Sequence, residues 1–175
     1  MARRPPGVMA CELLQNTSAT TNRPTITKAM TTLAIMPAKP KTWKQKMQAK
    51  PPHIVRLDKA FAGVPAGARL LISCPMEVED YLRTQVPPGE TRSIQQMRRE
   101  LAALHGADAA CPVSTAIFLR TVAEAAWDEL ESGAPATAIA PFWRVVDPQS
   151  ALAAKLRAGR AWIEQQRAAE QGVQE

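Results

Sequence analysis

The chain has 175 residues with 22 Lys and Arg against 16 Asp and Glu, a formal net charge of +6 and 46% hydrophobic residues. That length suits one domain with a tail, and the composition excludes collagen, coiled coil and wholesale disorder. No apolar run approaches the roughly 20 residues of a membrane span or the core of a signal peptide. Three cysteines, at positions 11, 74 and 111, are too few for a disulfide scaffold, so a soluble protein of the reducing cytoplasm is expected.

The charge divides unevenly. Residues 1–60 hold 11 Lys or Arg and two acids, a local +9, whereas residues 61–175 hold 11 Lys or Arg and 14 acids, a local −3. A basic arm before a mildly acidic body often marks nucleic-acid contact. The alternative is that Lys39, Lys41, Lys44, Lys46 and Lys50 simply keep an extended lead-in solvated.

Residues 1–40 show no sustained period and too little apolar surface to offset ordering entropy, so a disordered basic arm is expected there. Met30 and Met36 both lie within it, and Met36-Pro-Ala-Lys-Pro-Lys-Thr-Trp reads as a natural beginning, so the start falls at Met1, Met30 or Met36. Residues 41–74 are read as an extended lead-in, with Trp43, Met47, Val55 and Leu57 touching the core and one short strand at 69–72. Pro75 suits a first helical position, with Val78, Tyr81 and Leu82 on one face of the helix that follows. Ser93 and Gln96 have capping-box spacing; Ile94, Met97, Leu101 and Leu104 recur at helical intervals, and Gly106 stops the run. Cys111-Pro112 opens a second helix carrying Val113, Ala116, Ile117, Ala123, Trp127 and Leu130, ending by Gly133. Residues 138–146, with bulky side chains and an edge-type Pro141, predict a strand, on which Phe142 and Trp143 point to opposite sides. Ser150 can cap a helix with Leu152 and Leu156, and Gly159 precedes a last helix holding Trp162 and Ile163.

This order predicts a mostly α domain with a small β element over residues 75–172, a winged helix-turn-helix-like arrangement, with a plain helical bundle as the competitor. Pro88-Gly-Glu-Thr-Arg-Ser-Ile-Gln-Gln-Met resembles a DNA-binding segment of the alkylguanine-DNA alkyltransferase family, Pro-x-Gly-x-x-x-[Ser/Thr]-Tyr-x-x-[Ile/Leu]. Pro141-Phe-Trp-Arg-Val-Val resembles that family's active-site Pro-Cys-His-Arg-Val-Val, and Glu170 matches a Glu near the end of its C-terminal helix. The resemblance spans residues 75–172 and implies a methylated-DNA-protein-cysteine methyltransferase scaffold whose partner is double-stranded DNA.

Departures from the family pattern carry the chemistry. Alkyl transfer requires a Cys thiolate activated by a His and a carboxylate. Phe142 stands at the Cys position and Trp143 at the His position, and neither can act as nucleophile or base, so no catalysis is expected. Ile94 replaces the family's Tyr, and its recognition-helix Arg has no counterpart near Pro112 and Val113. The resemblance therefore implies the alkyltransferase-like branch, which binds modified duplex DNA in DNA repair without reacting with it, Phe142 and Trp143 filling or bordering a vestigial pocket. The DNA-contacting candidates are Thr91, Arg92, Ser93 and Gln95 at the first motif helix, Ser114 and Thr115 at the start of the second, and Arg120 and Arg144, with Arg98 and Arg99 either part of that set or a solvated face partnered by Glu100. The second class of reading is a protein-interaction or regulatory domain that has lost DNA affinity, its partner a repair or regulatory protein.

Cys111-Pro-Val-Ser also resembles a glutaredoxin-like redox site, but such a fold needs a strand immediately before the Cys, where a helix and short loop are expected. No Cys or His pair has zinc-ligand spacing and no glycine-rich phosphate loop is present, so neither metal nor cofactor is expected. Glu77, Glu79 and Asp80 complement a helix N-terminus.

Overall fold

A computed structural model describes residues 40–172, all within one unit, Lys39–Glu175. The expected disordered arm, Pro40 apart, lies outside the described residues.

Among the described residues three strands and five α-helices follow in order: α1 (Trp43–Met47), β1 (His53–Arg56), β2 (Arg69–Ile72), α2 (Pro75–Thr84), α3 (Ile94–Leu104), β3 (Ala109–Ala110), α4 (Pro112–Glu131) and α5 (Gly159–Gln171), with 3-10 turns at Phe142–Arg144 and Ala153–Lys155. The chain is thus mostly α with a small β element. No helix among the described residues is long and apolar enough to cross a membrane.

The lead-in is more ordered than its sequence suggested. Thr42 and Gln45 close a capping box: Thr42 Oγ1 accepts from the Gln45 N–H at 3.2 Å, and Gln45 Oε1 accepts from the Thr42 N–H at 3.0 Å. Two backbone donors are thereby satisfied in a helix of five residues, and Met47 packs against the core. The expected strand at 69–72 is β2; β1 pairs antiparallel to it, with His53 opposite Ile72, and β3 pairs parallel, with Leu70 opposite Ala109. Alternation along β2 sends Leu71 into the main core and Leu70 into a smaller cluster with Val64, Ala68 and Cys111.

The two motif helices form where their signals lie. Ser93 Oγ accepts from the Gln96 N–H at 3.1 Å. At the other end of α3, Gly106 adopts φ +60, and its N–H and that of Ala107 return to the Ala103 and Ala102 carbonyls at 3.1 and 2.8 Å, a Schellman closure that only a left-handed residue completes without strain. Cys111 caps α4, with Pro112 in its first turn. Two-residue β3 directly precedes Cys111, a strand the sequence did not announce. Cys74 and Cys111 are both free and buried.

Two expectations fail after α4. Residues 138–146 form no strand; the sheet comes entirely from earlier segments, so no β wing follows the second motif helix. Instead, Val145 and Val146 donate back to the Phe142 carbonyl at 3.1 and 2.9 Å. Successive residues of a 3-10 turn diverge by about 120° rather than the 180° of a strand, which lets adjacent rings share one buried side. Phe142 stacks on Trp162 at 5.5 Å, Trp143 meets Trp162 edge-on at 5.5 Å, and Trp162 meets Trp127 edge-on at 5.3 Å. Burial of Phe142 and Trp143 against the half-buried Trp127 and Trp162 overrides the strand preference of the segment. Ser150 does accept from the Ala153 N–H at 3.1 Å, but it starts only a single 3-10 turn.

Because Ser93 closes the first turn of α3, Ser93→Ala is expected to lower the unfolding free energy by about 1 kcal/mol, with Ser93→Asp close to neutral, in urea denaturation followed by circular dichroism. An unchanged midpoint for Ser93→Ala would remove its role as a cap.

Candidate nucleic-acid interface

The segment 141–147 separates two cavities, and its geometry is set by Arg144. The Arg144 side chain is only 11% exposed. Its Nε and Nη2 donate to the Glu170 carboxylate at 2.7–3.0 Å, and Nη1 donates to the Val86 carbonyl at 2.7 Å. The Gly89 N–H donates to Glu170 at 3.3 Å, and the Arg92 N–H to the Arg144 carbonyl at 2.9 Å. From α5, Arg167 donates to the Trp143 and Val146 carbonyls at 2.6 and 3.0 Å. The turn, the α2–α3 connection and α5 are thus bound together.

Glu170 lies near the end of α5, and its partner is Arg144. Burial works to raise its carboxyl pKa; hydrogen bonds from Arg144 and Gly89 and the guanidinium charge outweigh that and hold it below the ordinary carboxylate value. The Trp143 indole N–H is buried without a hydrogen bond of normal geometry, yet it lies close enough to Glu170 to help keep it ionised.

On one side of the segment, a cavity of about 550 Å³ is bordered by Trp143, Pro141, Ile139, Pro88 and Glu170, and it takes in no residue of α3 or α4. On the other, a cavity of about 460 Å³ is walled by Thr91, Arg92, Ser93, Ile94 and Gln95 from the start of α3, by Ala116 and Leu119 of α4, and by Val145, Val146, Asp147, Ser150 and Leu152. Four of the residues selected from sequence therefore converge on one concave site with an apolar floor and a hydroxyl-rich lip, and both volumes lie in the range of ligand pockets.

The other candidates are placed differently. Thr115 is buried, and its hydroxyl donates to the Cys111 carbonyl at 2.7 Å, so it cannot face DNA; Arg144 is spent in the clamp. Phe142 is fully buried and Trp143 borders the opposite cavity, so neither fills nor lines the pocket beside the motif helices. Arg92 is paired with Glu90 at 2.6 Å. Ser114 is half-buried at the start of α4 and lies outside the 460 Å³ cavity. Arg120 lies 5.9 Å from the Trp43 ring and 4.0 Å from Glu124. Arg98 donates to the Ala110 carbonyl at 3.1 Å, which ties α3 to β3, whereas Arg99 is exposed. Glu100 accepts from Tyr81 at 2.5 Å and from Gln96 at 2.9 Å rather than pairing with either arginine. Asp147, Ser150 and Leu152 went unselected because Asp147-Pro-Gln-Ser reads only as a turn. Among the described residues no group of His, Cys, Asp and Glu could hold a metal ion.

Compared with known proteins, the chain matches no family model, no curated protein and no solved structure.

Removing one partner of the clamp leaves a largely buried charge uncompensated, so Glu170→Ala is expected to cost about 3 kcal/mol in urea denaturation at neutral pH. The folded-state pKa of Glu170 lies below its unfolded value near 4.5. Its contribution is therefore complete above that value and is lost as pH falls through the folded one, so the deficit of Glu170→Ala relative to wild type is expected to shrink on acidification. A deficit independent of pH would count against the ion pair.

Proposed function

We propose that this chain is a non-catalytic, alkyltransferase-like DNA-binding protein that presents α3 and α4, connected through β3, to the duplex and receives an extruded, modified base in the cavity between them. The observation that carries this reading is the convergence of Thr91, Arg92, Ser93 and Gln95 with the 145–152 loop on one pocket of about 460 Å³. The loop that follows the Pro-Phe-Trp-Arg-Val-Val segment supplies one wall and the start of the first motif helix the other, in keeping with the two motif resemblances. No thiol or imidazole lines this pocket, which suits binding without transfer. An extruded base needs stacking walls and a few hydrogen-bonding groups. Ile94, Leu119 and Val146 provide apolar surface, and Thr91, Ser93, Gln95, Asp147 and Ser150 the polar edge.

One observation favours the second reading, a protein-docking domain. Val113 and Ile117, one turn apart on α4, are 50% and 56% exposed, and no cation lies on that helix before Arg120. Apolar side chains can meet thymine methyl groups, but they can equally meet a protein surface.

Fluorescence anisotropy with labelled 20-base-pair duplexes, plain or carrying one O6-alkylguanine, separates the two. The expected result is salt-sensitive binding that is tighter for the modified duplex, with Ala116→Trp filling the pocket and abolishing that preference while plain-duplex affinity stays within about threefold. If α4 faces DNA, Ile117→Lys adds a phosphate contact and tightens binding. No binding to either duplex at low salt would sink the DNA reading, and an indifferent Ile117→Lys would remove α4 from the interface.

A further inference from the structure

The ion pairs among the described residues leave one population of charge unspent. Every one of those pairs takes its nitrogen from an arginine or from the His105 ring; Lys41, Lys44, Lys46, Lys50, Lys59 and Lys155 enter none. Four of these six lie between residues 41 and 50, on and around α1, and the stretch 40–60 carries six Lys or Arg against the single acid Asp58.

One of these lysines, Lys46, is brought beside a cation of α4 by Trp43. Trp43 and Met47, one turn apart, are half-buried, and Met47 packs on the core, so the apolar side of α1 is turned inward. Lys46 Nζ sits 3.6 Å from the centre of the Trp43 ring, and the Arg120 guanidinium of α4 lies 5.9 Å from it. A cation near an indole face is held there by the ring quadrupole, so Trp43 gathers one cation from each helix. Val113, Ile117 and Arg120 have i, i+4, i+7 spacing and form one stripe along α4, which brings the exposed face of the second motif helix to this cluster. The carboxylate nearest Arg120, Glu124, is buried and already bound by Arg157 at 2.6 Å. Lys44 differs from its neighbours: it lines a groove of about 720 Å³ together with Glu79, Asp128 and Glu129.

We propose that Lys41, Lys46 and Lys50, with Arg120 anchored on Trp43, form the phosphate-binding surface through which this protein grips the backbone of duplex DNA. The inference rests on the DNA reading above and assigns the electrostatic part of binding to α1 rather than to the cation-poor start of α4. An anionic membrane is the weaker match for this patch, because Met47 is packed inward and Trp43 is occupied by two cations, leaving α1 no free apolar side to insert.

The test is the salt dependence of full-length protein binding to a plain 20-base-pair duplex, measured for wild type, for the Lys41→Ala/Lys46→Ala/Lys50→Ala variant and for Lys44→Ala. Each phosphate contact contributes about 0.9 to the slope of log affinity against log salt. The triple variant is expected to lower that slope by about 2.7 units and weaken binding at least tenfold, with Lys44→Ala close to wild type; all three lysines are exposed, so only the Lys46 contact with Trp43 is lost from the fold and the thermal midpoint should fall little. Wild-type slope and affinity in the triple variant would overturn the proposal while leaving the DNA reading standing. Absence of duplex binding by wild type would fell both. Loss of binding to phosphatidylserine vesicles with duplex binding intact would also overturn it, in favour of a membrane surface.

Discussion

A guanidinium withdrawn from solvent must find five donors' worth of partners, and at Arg144 that requirement organises the second half of the chain. A buried ion pair contributes little net stability, because desolvation offsets most of its attraction, yet losing one partner is expensive. Such a pair therefore specifies geometry more than it adds free energy. Arg144 reaches Glu170 on α5 and the Val86 carbonyl beyond α2, and its own carbonyl holds the Arg92 N–H at the threshold of α3. These ties fix the 141–147 segment as a turn. With the turn fixed, Phe142 enters the core, Trp143 lies against Glu170, and Val145 and Val146 face the start of α3.

The same ties limit the chemistry open to the site. A carboxylate that an arginine holds ionised is a poor proton acceptor, and its other neighbour, an indole N–H, has no proton to give up near neutral pH. On the proposed reading, the carboxylate that would tune a reactive pair has become a structural counterion, and the space such a pair would occupy is filled by aromatic stacking. Phe142, Trp143, Trp127 and Trp162 form a continuous ring contact across α4, the turn and α5. What remains concave beside α3 and α4 is lined by hydroxyls, an amide and aliphatic carbons, together with the charged Arg92, Asp147 and Arg167.

How far this could be read from the sequence depended on whether the cause was local. Ser93, Gly106 and Pro112 act within one turn of their own backbone, and α3 begins and ends, and α4 begins, where those residues place them. The capping box of Thr42 and Gln45 is equally local, but a five-residue helix has no period to draw attention to it. The path of residues 138–146 could not be read this way: bulky residues prefer strand, and what overrules them is a stacking partner twenty residues on and an arginine whose acceptors lie 26 and 58 residues away. Residue type alone points Arg144 and Thr115 toward DNA, because it says nothing about direction. The pocket's second wall went unseen because Asp147 and Ser150 carry only a turn signature until the fold brings them opposite Thr91 and Gln95.

The distribution of charge supports a separation of affinity from discrimination. Phosphate attraction is long-ranged, weakened by salt and blind to the state of a base. Pocket complementarity is short-ranged and nearly independent of salt. In this chain four of the six lysines that enter no ion pair among the described residues lie on or beside α1, and the cavity lies between α3, α4 and the 145–152 loop. Near the cavity Arg92 is paired with Glu90, and the charge of Arg167 acts on Asp147 in the same wall, so opposite charges offset one another there. On the proposed reading, a protein arranged in this way associates through one surface and selects through another. Raising salt would then strip away affinity for ordinary duplex first, leaving the preference for a modified base as the larger share of what remains.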